Sequence, residues 1–267
     1  MKRGSEMTAE KATAQEATRK VAFAKVLAIQ IIAYVVLVAL ALVPGMMYGD
    51  AAKPAAVPFT IIASLAMVVL LVVFSPFRDG VAGHVIAAIA GLLSAICATT
   101  VMLGNVIFPA GLDGGKSFSM EEAWIAGVGG LLIVLIIVSF GRQMARENRT
   151  HLIRSLSHSV VEGAAMIASA GWCFLPVLLP TTHSRAAAMS AASGATVDMF
   201  SNVTTTWVVA AIVTVLVAVA LTVCSYFWHR DADPEPDARS PWIGLALLPV
   251  MLTGLAVGLA ALAIVVL

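Results

Sequence analysis

Apolar residues run along this chain in seven long blocks separated by shorter polar segments, at 26–47, 57–77, 81–108, 123–140, 160–179, 207–228 and 243–267. A helix rising about 1.5 Å per residue needs about 20 apolar residues to cross a hydrocarbon core of about 30 Å, and the blocks are of that order. Inside a bilayer the backbone has no water to bond, so a spanning segment must satisfy its own N–H and C=O groups, which selects helices. The blocks lack the period-two alternation of a membrane β-strand. The pattern predicts an all-α integral membrane protein, a bundle of seven transmembrane helices over 26–267 behind a polar tail at 1–25.

Composition sharpens this picture. Of 267 residues, 60% are hydrophobic and only 12% charged, with mean hydropathy +0.97. A soluble domain carries roughly a quarter of its residues as charges, so most of this surface is expected to face lipid. The formal net charge of +1 gives no electrostatic footprint for nucleic acid.

Where the charges lie matters more than their sum. Lys2, Arg3, Lys11, Arg19, Lys20 and Lys25 precede the first block, Arg78 follows the second, Arg142, Arg146, Arg149 and Arg154 follow the fourth, and Arg230 and Arg239 follow the sixth. Only Lys53, Lys116 and Arg185 fall in the other set of connections. Basic residues stay on the cytoplasmic side, so the N-terminus is expected inside and the C-terminus outside. The expected location is a cell membrane, of the bacterial plasma-membrane kind. Trp124, Trp207, Trp228 and Trp242 sit at block ends, where interfacial belts form, and only Trp172 lies deeper. Ala39-Leu40-Ala41 resembles a signal-peptide cleavage site, but the charged leader is long and the apolar run continues past it, so an uncleaved first helix is expected.

Small residues recur at helical spacing. Gly83, Ala87, Gly91 and Ala95 fall every fourth residue on the third helix, and Gly254 and Gly258 repeat the pattern on the seventh. Such stripes let backbones approach closely, so both are expected to be packing faces. Cys97, Cys173 and Cys224 lie inside apolar blocks with no CxxC pair, and are read as small apolar side chains. A Phe77-Arg78-Asp79 echo in His229-Arg230-Asp231 hints at a repeated triplet of helices, but arginine and aspartate are common at such boundaries.

Ionisable residues within spans are costly and are functional hypotheses by default. His84, about one turn into the third helix, and Glu162, near the start of the fifth, are the two candidates for a ligand or ion pathway; their similar depth predicts that they lie near one another at the cytoplasmic end of the bundle, able to pair, carry a proton or coordinate a cation. The competing reading is that both snorkel to the headgroups near the cytoplasmic surface. Between the fourth and fifth blocks, Arg142, Arg146, Arg149 and Arg154 accompany an apolar face of Leu152, Ile153, Leu156 and Val160. An amphipathic helix on the inner leaflet, its arginines on anionic lipid headgroups, is one reading, and plain positive-inside topology is the other. The 180–206 connection, with a sequon at Asn202, is expected to lie outside.

No HExxH, GxSxG or Walker motif is present, so no cofactor, metal or catalytic residue is assigned. The expected function is transport, as a small-solute permease or the membrane subunit of a transport assembly, with the bilayer and a membrane or cytoplasmic subunit as partners. The alternatives are an enzyme acting on lipid-linked substrates at the inner leaflet, with His84 or Glu162 as acid or base, and a scaffold or immunity-type protein.

Overall fold

The computed structural model describes residues 23–42, 52–77, 80–100, 119–145, 152–178, 202–231 and 240–266. Within them are seven helices and no strands: α1 (Phe23–Leu42), α2 (Ala52–Val73), α3 (Gly80–Thr99), α4 (Met120–Met144), α5 (Leu152–Ser169), α6 (Asn202–Asp231) and α7 (Pro241–Val266). A 3₁₀ segment, Ala170–Leu178, continues α5. Six of the seven are long and apolar enough to cross a membrane; α2, the other, has 22 residues, with its described apolar part at Phe59–Val73. This is a helical membrane bundle.

Several helix boundaries follow local chemistry. Ser119 caps α4 in a reciprocal box: its Oγ accepts from the Glu122 N–H at 3.2 Å, and Glu122 Oε2 accepts from the Ser119 N–H at 2.7 Å. Pro241 opens α7, where its missing N–H costs nothing. Gly80 opens α3 at φ +70°, a conformation that side chains resist. α2 stops at Val73, short of the expected 77, because Pro76 has no N–H to continue the ladder. α3 ends at Thr99 rather than 108, and Thr100 already lies outside it; the Thr99 and Thr100 hydroxyls back-bond to Ala95 and Ile96 carbonyls. The expected helix at 101–108 lies beyond the described residues.

α5 with its 3₁₀ continuation occupies the centre, touching α2, α3, α4 and α7. Leu156–Leu178 is the most buried candidate span among the described residues, whereas α1 and α6 are peripheral. Ile31, Val35, Ile133, Ile137, Val215 and Leu216 are exposed. Outward faces this apolar suit a lipid solvent and would aggregate in water.

The small-residue stripes are packing faces. Gly83, Ala87, Gly91 and Ala95 are all buried, and a Cβ on Gly91 would stand 2.9 Å from Met166 Cβ and 3.2 Å from its carbonyl oxygen. The stripe therefore seats α5. Gly91→Leu is expected to cut the folded yield at least tenfold, since the branched side chain meets backbone as well as Met166; size-exclusion profiles of fluorescent-protein fusions would check it. On α7, Gly254 faces the Ala168 carbonyl and Gly258 faces the ring of Trp124.

That ring corrects one expectation. Trp124 is 0% exposed, and its Nε1–H donates to Ser94 Oγ at 3.1 Å rather than reaching an interface. The absent Cβ of Gly258 makes room for it. Trp228 is on the surface and Trp242 is half-buried, as belt residues would be, while the Trp207 side chain lies outside the described residues. Trp172 is buried, donating Nε1–H to the Val250 carbonyl at 2.9 Å. Cys97 and Cys173 are buried thiols, Cys224 is exposed, and all three are free.

Candidate functional site

Three helices bring polar side chains to one end of the bundle. α3 supplies His84, four residues after its start; α5 supplies Ser159 and Glu162; α4 supplies Ser139 and Gln143, one turn apart near its end. Their spacings, i to i+3 and i to i+4, put each set on a single helix face. All of these except His84 are buried, and Phe77 stacks on His158 nearby with ring centroids 4.9 Å apart.

His84 and Glu162 meet. Nδ1 lies 2.8 Å from Oε1 and 3.0 Å from Oε2, a two-armed contact between residues 78 apart in the chain. Glu162 is 0% exposed and His84 17%. The snorkelling reading therefore fails for Glu162: its carboxyl is held inside the bundle, about 15 Å along α5 from Leu152 at the helical rise. A buried carboxylate without a partner would be strongly unfavourable, and the imidazole supplies that partner. With Glu162 ionised, Nδ1–H donates to it. With the proton moved across, the Glu162 O–H donates to Nδ1, so one contact serves both states.

Beyond Glu162 the buried face of α5 continues at alternating three- and four-residue steps through Met166, Ser169 and Cys173. Ser64 of α2 donates to Ser169 Oγ at 3.0 Å, and Ser169 Oγ donates to the Met166 carbonyl at 2.7 Å. Thr60, one turn before Ser64, hydrogen-bonds to Cys173. A helix passing from α to 3₁₀ bonding leaves one carbonyl at the switch without its amide. At this place Ser94 Oγ donates to the Ile167 carbonyl at 2.7 Å. Hydroxyls from α2 and α3 thus steady the point where α5 changes its winding, one and two turns past Glu162.

The arginines are distributed differently from the expected interfacial helix. Arg142 belongs to the last turn of α4, where a cation complements the helix dipole, and Arg154 belongs to α5. Leu152, Ile153, Leu156 and Val160 belong to α5 itself, which packs on α3 and α4, and Leu156 and Val160 are half-buried there. Arg146, Arg149 and the side chain of Arg154 lie outside the described residues, as does most of the 180–206 connection. Among the described residues no three His, Cys, Asp or Glu side chains are grouped as metal ligands.

Two features escaped the sequence. Ser139 and Gln143 are neutral and lie in a largely apolar run; their four-residue spacing was the available signal. An apolar groove of about 500 Å³ between α1, α2 and α7, lined by residues such as Ile32, Val36, Phe59, Met67 and Leu247, is a product of packing. It draws no residue from α3 or α5 and does not lead to His84.

Together these features define a multi-pass α-helical membrane protein with a buried histidine–carboxylate pair near one end of its bundle. Comparison with protein-family models, curated proteins and solved structures finds no match.

Proposed function

We propose that this protein acts in transport, as a small-solute permease or the membrane subunit of a transport assembly, and that His84 and Glu162 form its proton- or cation-handling site. The observation that carries this reading is a carboxyl 0% exposed whose imidazole partner is itself 17% exposed. The imidazole is the outer member and the carboxyl the inner one. A proton taken from water by His84 breaks its Nδ1–H bond as the O–H of Glu162 forms, leaving both groups neutral. Neutralising the pair alters the cost of keeping it buried, and so biases the packing of α3 on α5. The α-to-3₁₀ switch two turns away is where such helices often bend.

The test is flux through purified protein in liposomes under an imposed pH or sodium gradient, followed with pH- and sodium-sensitive dyes trapped inside. Flux above that of protein-free vesicles supports the reading; flux equal to theirs under both gradients overturns it.

The same reading places the His84 end of the bundle in the cytoplasm, from the distribution of basic residues. A periplasm-active reporter fused after Leu267 is expected to be active and a cytoplasm-active one silent. The reverse result would remove the proposed orientation.

A further inference from the structure

A second buried polar group stands apart from the histidine–carboxylate pair. Gln30 of α1 is 0% exposed. Its Nε2–H donates to Ser225 Oγ of α6 at 2.9 Å, and Ser225 Oγ donates to the Thr222 carbonyl at 2.6 Å. Among the described residues its Oε1 has no hydrogen-bond partner. A buried amide oxygen in that state is costly, and native folds rarely keep one without a use.

A second oxygen without its usual donor lies nearby in register. Pro249, inside α7, has no N–H to give to the Leu245 carbonyl four residues earlier. The Tyr34 hydroxyl ties α1 to α7 at this point, 2.9 Å from Thr253 Oγ1 and 3.5 Å from the Pro249 carbonyl. Gln30 precedes Tyr34 by one turn and Leu245 precedes Pro249 by one turn. On the seven-span reading α1 and α7 run in the same direction, which would bring the two oxygens to a similar level of the bundle.

Both are neutral acceptors, and neither α1 nor α7 carries an acidic residue among the described residues. Divalent cations usually recruit carboxylates or phosphates, whereas neutral carbonyl and hydroxyl oxygens suit a singly charged ion. Backbone carbonyls that lack their helical donor are the kind of oxygen that replaces the water of sodium in membrane proteins; α7 stays continuous through Pro249, which frees the Leu245 carbonyl alone. We propose that Gln30 Oε1 and the Leu245 carbonyl, with Ser225 Oγ beside them, bind a sodium ion between α1, α6 and α7. The site is separate from Glu162, and the proposal stands whether or not that carboxyl handles protons.

The experiment is thermal unfolding of the full chain in detergent, titrated with sodium chloride against choline chloride at constant ionic strength, with potassium and calcium chloride as further arms. Sodium is expected to raise Tm saturably by about 3 °C or more, as a ligand of the folded state does. Gln30→Leu is expected to abolish the shift. Pro249→Ala, which returns an amide donor to Leu245, is expected to raise the sodium needed about tenfold. Equal Tm in sodium and choline, a shift with calcium alone, or an undiminished sodium shift in Gln30→Leu would each overturn the proposal. If both variants fail to fold, radioactive sodium binding to the unaltered protein decides: saturation near one ion per chain, displaced by unlabelled sodium and not by choline, supports the site, and no saturable binding overturns it.

Discussion

Glu162→Gln is expected to lower proton or cation flux at least tenfold in liposomes while leaving the folded yield within about twofold. Glutamine keeps the size of the carboxyl and one oxygen that accepts from His84 Nδ1–H, now 2.8 Å from Glu162 Oε1. It cannot take up a proton or neutralise an ion, so it separates chemistry from packing. His84→Ala acts differently. It takes the imidazole away from a carboxyl that is 0% exposed, and removing one member of a buried pair costs about 3–5 kcal/mol. The single variant is therefore expected to lose both flux and thermal stability. The double variant His84→Ala with Glu162→Gln is expected to recover much of the stability and none of the flux. Stability losses that simply add would mean the two groups are not coupled in the folded protein.

The second large effect concerns backbone approach. A Cβ on Gly171 would fall on the Gly254 carbonyl and 2.8 Å from Trp124 Cη2, and one on Gly254 would fall on the Ala168 carbonyl and 3.0 Å from Trp172 Cδ1. Backbone cannot swing aside as a flexible side chain can, so either alanine variant must push α7 away from the end of α5. Overpacking typically costs about 1–3 kcal/mol, and separating two central elements belongs at the upper end of that range or above it. Gly171→Ala and Gly254→Ala are each expected to abolish a monodisperse folded peak. Gly129→Ala and Gly141→Ala meet nothing within 4 Å and are expected to hold Tm or raise it slightly, because alanine favours helix by about 1 kcal/mol. Gly163→Ala, whose nearest neighbours are atoms of the flexible Leu135 side chain, should fall between. Equal Tm across the series would refute the close-packed seam.

Several features were legible from residue type and spacing. Long apolar blocks required helices, since lipid offers the backbone no hydrogen bonds. The four-residue repeat from Gly83 to Ala95 identified a packing face, because only small side chains admit a neighbouring backbone. His84 and Glu162 stood out through the cost of ionisable groups within spans.

Tertiary structure decided the rest, for reasons that no local pattern carries. It placed Trp124 in the core, because a ring can be buried at a block end where Gly258 leaves space and Ser94 accepts its N–H. It made the apolar residues of the expected surface helix part of α5, a helix that continues into the centre of the bundle. It drew His84 onto Glu162 instead of letting the carboxylate reach water. It left Gln30, one neutral residue in an apolar run, with an unpaired oxygen. Helical period and lipid solvation are properties of a segment, and they determine that a helix forms and spans. Which polar atoms find partners depends on the relative rotation and height of helices distant in sequence, and only the packed bundle sets those.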